Sequence, residues 1–219
     1  MPGAPSTPEM VLREGVAKLG LSMNESVERR CLGFVTLLLK WARVHNLTAA
    51  RDPLEVVNRH ILDSLAIMPL LRGRRMVDIG SGAGFPGLPL ALLCPQKDWT
   101  LIEARYKRVS FLEHAAARLQ LESISVVHSR VQDYRPQEVS DTLVARAFAP
   151  LPEFVDSTRH LWHAGATVIA MKGKEPLEEL KALPSDVRAL ADIVALEVPG
   201  LNVRRHAVVF NNLGTFAAG

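Results

Sequence analysis

The 219-residue sequence is poor in cysteine: it contains only Cys31 and Cys94. Both sit in apolar surroundings, which argues against a disulfide scaffold and for free, buried thiols in a reducing compartment. Two distant cysteines and histidines without ligand spacing also exclude a zinc site. Long apolar runs are missing. The longest, such as Leu88 to Cys94, is short and interrupted by proline, which excludes a bilayer-spanning helix. The opening MPGAPSTPEM lacks a basic stretch followed by an apolar one, so it reads as a loose tail rather than a secretion signal. The expectation is a soluble cytoplasmic protein without membrane association, by default a monomer. Aromatic residues make up 5% of the chain, and no array of aromatic strands for stacking RNA bases is visible. A large excess of one charge is absent too. The net charge of +3 is a weak pointer to nucleic acid, since many soluble enzymes are as basic.

Apolar residues reach 48% and charged residues 22%, a globular composition with ample core. Neither an internal repeat nor a low-complexity tract occurs. Val27, Cys31, Phe34, Leu38 and Trp41 recur at helical spacing and predict a helix from Glu25 to Val44. A shorter helix is expected around Pro8 to Leu19. Another opens at Pro53, with Leu54, Val57, Ile61, Leu65 and Met68 on one face. Residues 1–72 therefore read as an N-terminal helical extension.

After Gly73 the period changes. RMVDIG, WTLIE, ISVVH, TLVARA and ATVIAMKG read as strands, and helices start near Pro86, Arg105, Pro150 and Glu175. This alternation predicts an α/β fold, with a mostly parallel sheet and helices on both faces. DIVALEVPG and RHAVVF follow, and their short connection predicts antiparallel pairing at one edge. Residues 73–219 form this second unit.

The segment MVDIGSGAGFPGLPLAL carries four glycines at the end of the first strand, where open α/β sheets bind ligands. Gly82 to Gly87 matches G-x-G-x-x-G, the dinucleotide pattern of an NAD(P)-dependent oxidoreductase. Two residues oppose that reading. Pro86 removes an N–H that a pyrophosphate needs, and Asp78 places a carboxylate beside it. S-adenosylmethionine is cationic and free of phosphate, so D-x-G-x-G-x-G from Asp78 to Gly84 suits it better. Glu103 ends the second strand, where a carboxylate receives ribose hydroxyls in either cofactor class.

HNLTAARDP, RHILDSL, VDIGSGAGFPGLPLAL, KRVSFLEHAAARLQL, SRVQDY, ARAFAPL, MKG and RHAVVF stand in this order and cover nearly the whole chain. Together they resemble the bacterial 16S rRNA (guanine-N7)-methyltransferases, or glucose-inhibited division protein B family. The resemblance implies a class I methyltransferase fold of Rossmann-like form, S-adenosylmethionine as cofactor and 16S rRNA as substrate. It places the cofactor against Gly80 and Phe85, puts Val131 and Gln132 beside the adenine, and closes the site with Arg146. The C-terminal NNLGTFAAG departs from the basic tail expected of the family.

Guanine N7 carries a lone pair and no proton, so its methylation requires alignment rather than a general base. The strand ending VARAFAPL indeed lacks the Asn/Asp-Pro-Pro-aromatic tetrad of many amino-group methyltransferases. Arg146 and Lys172 follow the fourth and fifth strands and are the candidates for catalysis. A cation on N7 would block attack, so they are assigned to O6, phosphate or the cofactor carboxylate. Arg146 stands in an apolar run and needs a partner; for Lys172 the plain alternative is a solvated lysine. Asn46, Thr48, His60, Asp63 and Ser64 are candidates for the substrate side, with Arg204. Turns and a helix-surface pair would explain the N-terminal residues equally well. A basic rim of Arg72, Arg74, Arg105, Lys107, Arg108, Lys172 and Arg204 is the expected RNA surface. A small-molecule methyltransferase and a non-catalytic RNA-binding factor are the remaining alternatives.

Overall fold

The computed structural model describes residues 6–45, 47–211 and 213. A seven-stranded sheet forms its centre, with strands β1 (Arg75–Ile79), β2 (Asp98–Glu103), β3 (Ile124–His128), β4 (Thr142–Arg146), β5 (Thr167–Lys172), β6 (Ala191–Leu196) and β7 (Arg205–Phe210) in the order β3-β2-β1-β4-β5-β7-β6. The pairs β3–β2, β2–β1, β1–β4 and β4–β5 are parallel, while β7 runs antiparallel to both β5 and β6. The strand order reverses between β1 and β4. Ligands of open α/β sheets bind beyond the strands' carboxyl ends at such a switch point. The expected fold class is found, and its single reversed strand lies one place in from the edge.

Helices α1 (Pro8–Lys18) and α2 (Glu25–His45) start the chain. Thr7 caps α1 by accepting from the Met10 N–H at 3.3 Å, and Pro8 fills the first turn, where no N–H is needed. Asp52 caps α3 (Pro53–Val56) in the same way through the Glu55 N–H. The chain then widens to π-helix over Val57–Leu62 before α4 (Asp63–Leu65). The sheet's first crossovers are α5 (Gly87–Leu93) and α6 (Tyr106–Arg118), followed by α7 (Leu151–Thr158), α8 (Leu177–Lys181) and α9 (Ser185–Arg188).

Alternate strand residues serve two cores. Val144, Ile169 and Val209 pack with Leu12, Phe34, Leu62 and Phe111, so the N-terminal helices share one apolar cluster with α5 and α6. Leu143, Val168 and Val208 join Phe154 and Trp162 on the opposite face. Cys31 and Cys94 are buried and free, and burial pushes the Cys31 thiol up to about 12, so it stays protonated.

Candidate active site

Two cavities open at the carboxyl end of the sheet and share Ala147 as a common wall. The smaller, about 170 Å³, is lined by Gly80, Ile102, Glu103, Arg108, Val131 and Phe148 among others. The larger, about 490 Å³, lies between the sheet and α3–α4; Thr48, His60, Asp63, Arg146, Met171 and Arg205 contribute to it.

The glycine loop forms the inner wall of the smaller cavity. Gly80 has φ +67°, and a Cβ there would lie 2.7 Å from the Phe148 ring, so only glycine leaves this clearance. Gly82 and Gly84 serve different ends. The Gly82 N–H donates to Glu103 Oε2 at 2.9 Å, while a side chain at Gly84 would strike Leu88 in the core. Glu103 is 4% exposed. Its Oε1 accepts from the Arg105 N–H at 2.8 Å, and Arg108 stands 3.7 Å from its Oε2. Each oxygen keeps a further lone pair for a ligand.

Asp78 requires a correction. It does not reach the cleft: it is fully buried beneath the loop, where Oδ2 accepts from the Gly87 N–H at 3.0 Å and Oδ1 has no partner. Burial pushes its carboxyl up to about 7, against the pull of the Gly87 hydrogen bond. It holds the loop at Gly87 and lines neither cavity.

Arg146 dominates the larger cavity. Its Nη1 donates to Asp63 Oδ2 at 2.9 Å, its Nη2 meets His60 Nδ1 at 2.7 Å, and its guanidinium lies 5.1 Å from the centre of the Phe85 ring. Asp63 gives its other oxygen to Arg205 Nε at 3.1 Å. One carboxylate thus holds two arginines side by side. Burial, and then the nearby positive charges of Arg146 and Arg59, hold His60 down to about 4. It is neutral at pH 7, so the nitrogen facing Arg146 accepts. Thr48 Oγ1 lies 3.4 Å from its other nitrogen, and its ring packs 4.9 Å from Phe85.

Several expected residues are not brought to the cavities. Ser64 is fully buried, and its hydroxyl donates to the His60 carbonyl at 2.6 Å within the helix. Gln132 turns its amide onto Ser157 at 3.2 Å, whereas its neighbour Val131 lines the smaller cavity. Lys172, by contrast, does line the larger cavity, but its ammonium is held by Glu179 at 2.6 Å and the Ala149 carbonyl at 3.0 Å. It fixes the loop after β4 rather than pointing freely at a substrate. Arg204 is exposed outside the cavity, and Arg205 stands in its place. Arg205 precedes Ala207 and Val209 at period two, which puts it on the face of the N-terminal helices. Arg72 and Arg74 belong to the opposite end of the sheet: Arg74 pairs at 2.8 Å with Asp98, the first residue of β2. Asn46 lies outside the described residues. Sequence reasoning passed over Arg59, Glu55 and Phe148 as well, although Phe148 lies inside the ARAFAPL segment. Among the described residues no cluster of three His, Cys, Asp or Glu side chains could hold a metal, and no helix is long and apolar enough to cross a membrane.

A family model described as GidB, rRNA small subunit methyltransferase G, matches residues 28–208. A ribosomal RNA small subunit methyltransferase G of Ectopseudomonas mendocina is 44% identical over 200 residues, 90% of this chain and 93% of the relative. One from Coxiella burnetii is 40% identical over 204 residues, covering 93% and 98%. Among solved structures, the METTL16 methyltransferase domain superposes with a TM-score of 0.54 at 17% identity, covering 87% of this chain and 82% of its own. A mutant of MtNAS in complex with S-adenosylmethionine gives 0.52 at 16%, covering 93% and 88%. At these identities the two structures speak for the fold alone.

Proposed function

The chain belongs to the rRNA small subunit methyltransferase G family, and from that premise we propose that it transfers the methyl group of S-adenosylmethionine to N7 of a guanine in 16S rRNA. The observation that carries the reading is the pair of cavities joined at Ala147. One is walled by glycine, apolar side chains and the buried carboxylate of Glu103, and the other by Arg59, Arg146 and Arg205.

The residues of the smaller cavity fit the cofactor. Gly80 keeps the inner wall clear, since a Cβ there would lie 2.7 Å from the Phe148 ring. Glu103 offers a buried carboxylate to ribose hydroxyls, and Ile102 and Val131 supply apolar walls for a flat base. S-adenosylmethionine, when bound, supplies an electrophilic methyl group.

The larger cavity suits a nucleophile that carries no proton. Both Asp63 oxygens are engaged by arginine, Glu55 pairs with Arg59 at 3.0 Å, and neutral His60 already accepts from Arg146. Each carboxylate is thus neutralised by arginine and His60 is held down to about 4, so none of them is a strong base, which an exocyclic amine would require and N7 does not. Arg146 and Arg205, fixed through Asp63, present N–H groups to guanine O6 or to phosphate. Their rigidity aligns the base before transfer. Lys172 acts one step removed, by holding Ala149. We assign the 16S rRNA to the carboxyl-edge cations, and the protein acts as a monomer.

Labelled S-adenosylmethionine offered to small subunits, naked rRNA and free nucleosides tests the reading. The expected product is 7-methylguanine at a single rRNA position, revealed by strand cleavage, with no product when 7-deazaguanine replaces the target. Cofactor binding without transfer to any RNA would sink the proposal.

A further inference from the structure

Among the described residues, Tyr106 is the one aromatic of the exposed large apolar side chains; it is 70% exposed, and the others are Met10, Val44, Val139, Leu177 and Val203. It opens α6, three residues after Glu103, and so stands just outside the smaller cavity. Its ring leans on His128 at the end of β3, with centroids 5.8 Å apart and planes 56° to one another. His128 is itself tethered, its Nε2 donating to the Ala104 carbonyl at 3.1 Å. The phenol ring is therefore supported from behind and open in front.

The charges around it are equally open. Arg105, Lys107 and Arg130 are exposed, and among the described residues they pair with no carboxylate. An exposed ring that buries little apolar surface does little for the fold. An aromatic face set among unpaired cations is what single-stranded nucleic acid uses: the ring takes a base and the cations take phosphates. An acidic protein segment would engage the cations and leave the ring idle. The platform also lies on the correct edge. It sits beyond β2 and β3, while the larger cavity opens over β4, β5 and β7. With neighbouring strands about 4.8 Å apart, a strand of RNA crossing the carboxyl edge reaches both within a few nucleotides.

We propose that Tyr106, backed by His128, is a stacking platform for an unpaired base of the RNA substrate near the target guanine. Arg105, Lys107 and Arg130 hold the adjoining phosphates. This rests on the RNA substrate proposed above.

The test compares binding of 16S rRNA and of a mixed-sequence single-stranded RNA across salt concentrations, for wild type, Tyr106→Ala, Tyr106→Phe and Lys107→Ala. Loss of one stacked base is expected to weaken binding by Tyr106→Ala about 5- to 100-fold, with Tyr106→Phe close to wild type. Neither tyrosine variant changes the slope of log affinity against log salt, because stacking releases no counterion. Lys107→Ala lowers it by about 0.7 for a single strand. S-adenosylmethionine affinity stays unchanged in Tyr106→Ala. Wild-type RNA affinity in Tyr106→Ala, or a loss confined to the cofactor, overturns the platform. Methyl transfer is followed in the same preparations. An RNA-binding wild type that methylates nothing, with Tyr106→Ala still weakened, overturns the reaction and leaves the platform standing. An active wild type with an indifferent Tyr106→Ala overturns the platform alone.

Discussion

His60 and Asp78 sit close to the same arginine and oppose one another in their response to pH. His60 is held down to about 4 in the folded chain, mainly by burial, against 6.5 when free. The unfolded chain binds its proton more readily, so this contribution to stability is complete above pH 6.5 and fades as pH falls towards 4. Asp78 is pushed up to about 7 from 3.8, again by burial. Here the folded chain binds the proton more tightly, so its contribution is complete below about pH 4 and fades as pH rises through 7. Between pH 4 and 6.5 the two slopes offset each other. Urea unfolding of Asp78→Asn over that range should therefore show stability rising with pH more steeply than in wild type, and His60→Gln should show it falling. Parallel curves for the three proteins would mean that neither group titrates as its surroundings demand. The sequence shows Asp78 at a strand end but not which way the side chain turns. It shows Arg204 and Arg205 as one basic pair, and only the register of β7 separates the exposed residue from the one that grips Asp63.

At the scale of elements, the glycine loop divides its labour in a way that the spacing D-x-G-x-G-x-G conceals. Gly80→Ala places a methyl group against Phe148 at the cavity wall, and Gly84→Ala places one against Leu88 in the core. Both positions have positive φ. Gly84→Ala is expected to cost stability, by about 2 kcal/mol or more from overpacking and backbone strain. Gly80→Ala should chiefly weaken cofactor affinity, because the added methyl group and Phe148 would crowd the wall of the smaller cavity. Thermal melts and calorimetric titration of both variants check the split; equal loss of cofactor affinity in the two would refute it. All seven strands and helices α5 to α8 were legible, because alternation of period two and period 3.6 survives in the sequence, whereas the four-residue α9 is too short to show a period. The π-helical stretch Val57–Leu62 was not, since its extra residue per turn leaves no compositional mark. That stretch carries His60, so the meeting of His60 and Asp63 on Arg146 could be suspected from their spacing but not placed. Such interruptions recur at functional sites.

For the whole molecule, the fold sorts the basic residues by the end of the sheet they occupy. Arg59, Arg105, Lys107 and Arg205 follow or face the carboxyl ends of strands; Arg74 and Arg75 stand at the amino ends, paired with Asp98 and Glu138. Linear sequence cannot show this, because strand direction decides it and is fixed only when the sheet assembles. Removing a phosphate-contacting cation lowers the salt slope of RNA binding by about 0.7. Arg59→Ala is therefore expected to lower the slope, and Arg74→Ala to leave it unchanged. An equal effect of the two would place RNA somewhere other than the carboxyl edge. The shared wall between the cavities has a larger consequence. Ala147 holds φ +51°, a conformation rarely taken by residues with a Cβ, between Arg146 on one side and Phe148 on the other. A ligand in the smaller cavity rests on Phe148, and one in the larger on Arg146, both attached to Ala147, so each is expected to alter the affinity for the other. Binding equilibria linked in this way are reciprocal: S-adenosylhomocysteine must change the RNA dissociation constant by the factor by which RNA changes that of S-adenosylhomocysteine. Titrating each in the presence and absence of the other measures that factor twice, and a factor of one would show that the shared wall at Ala147 transmits nothing.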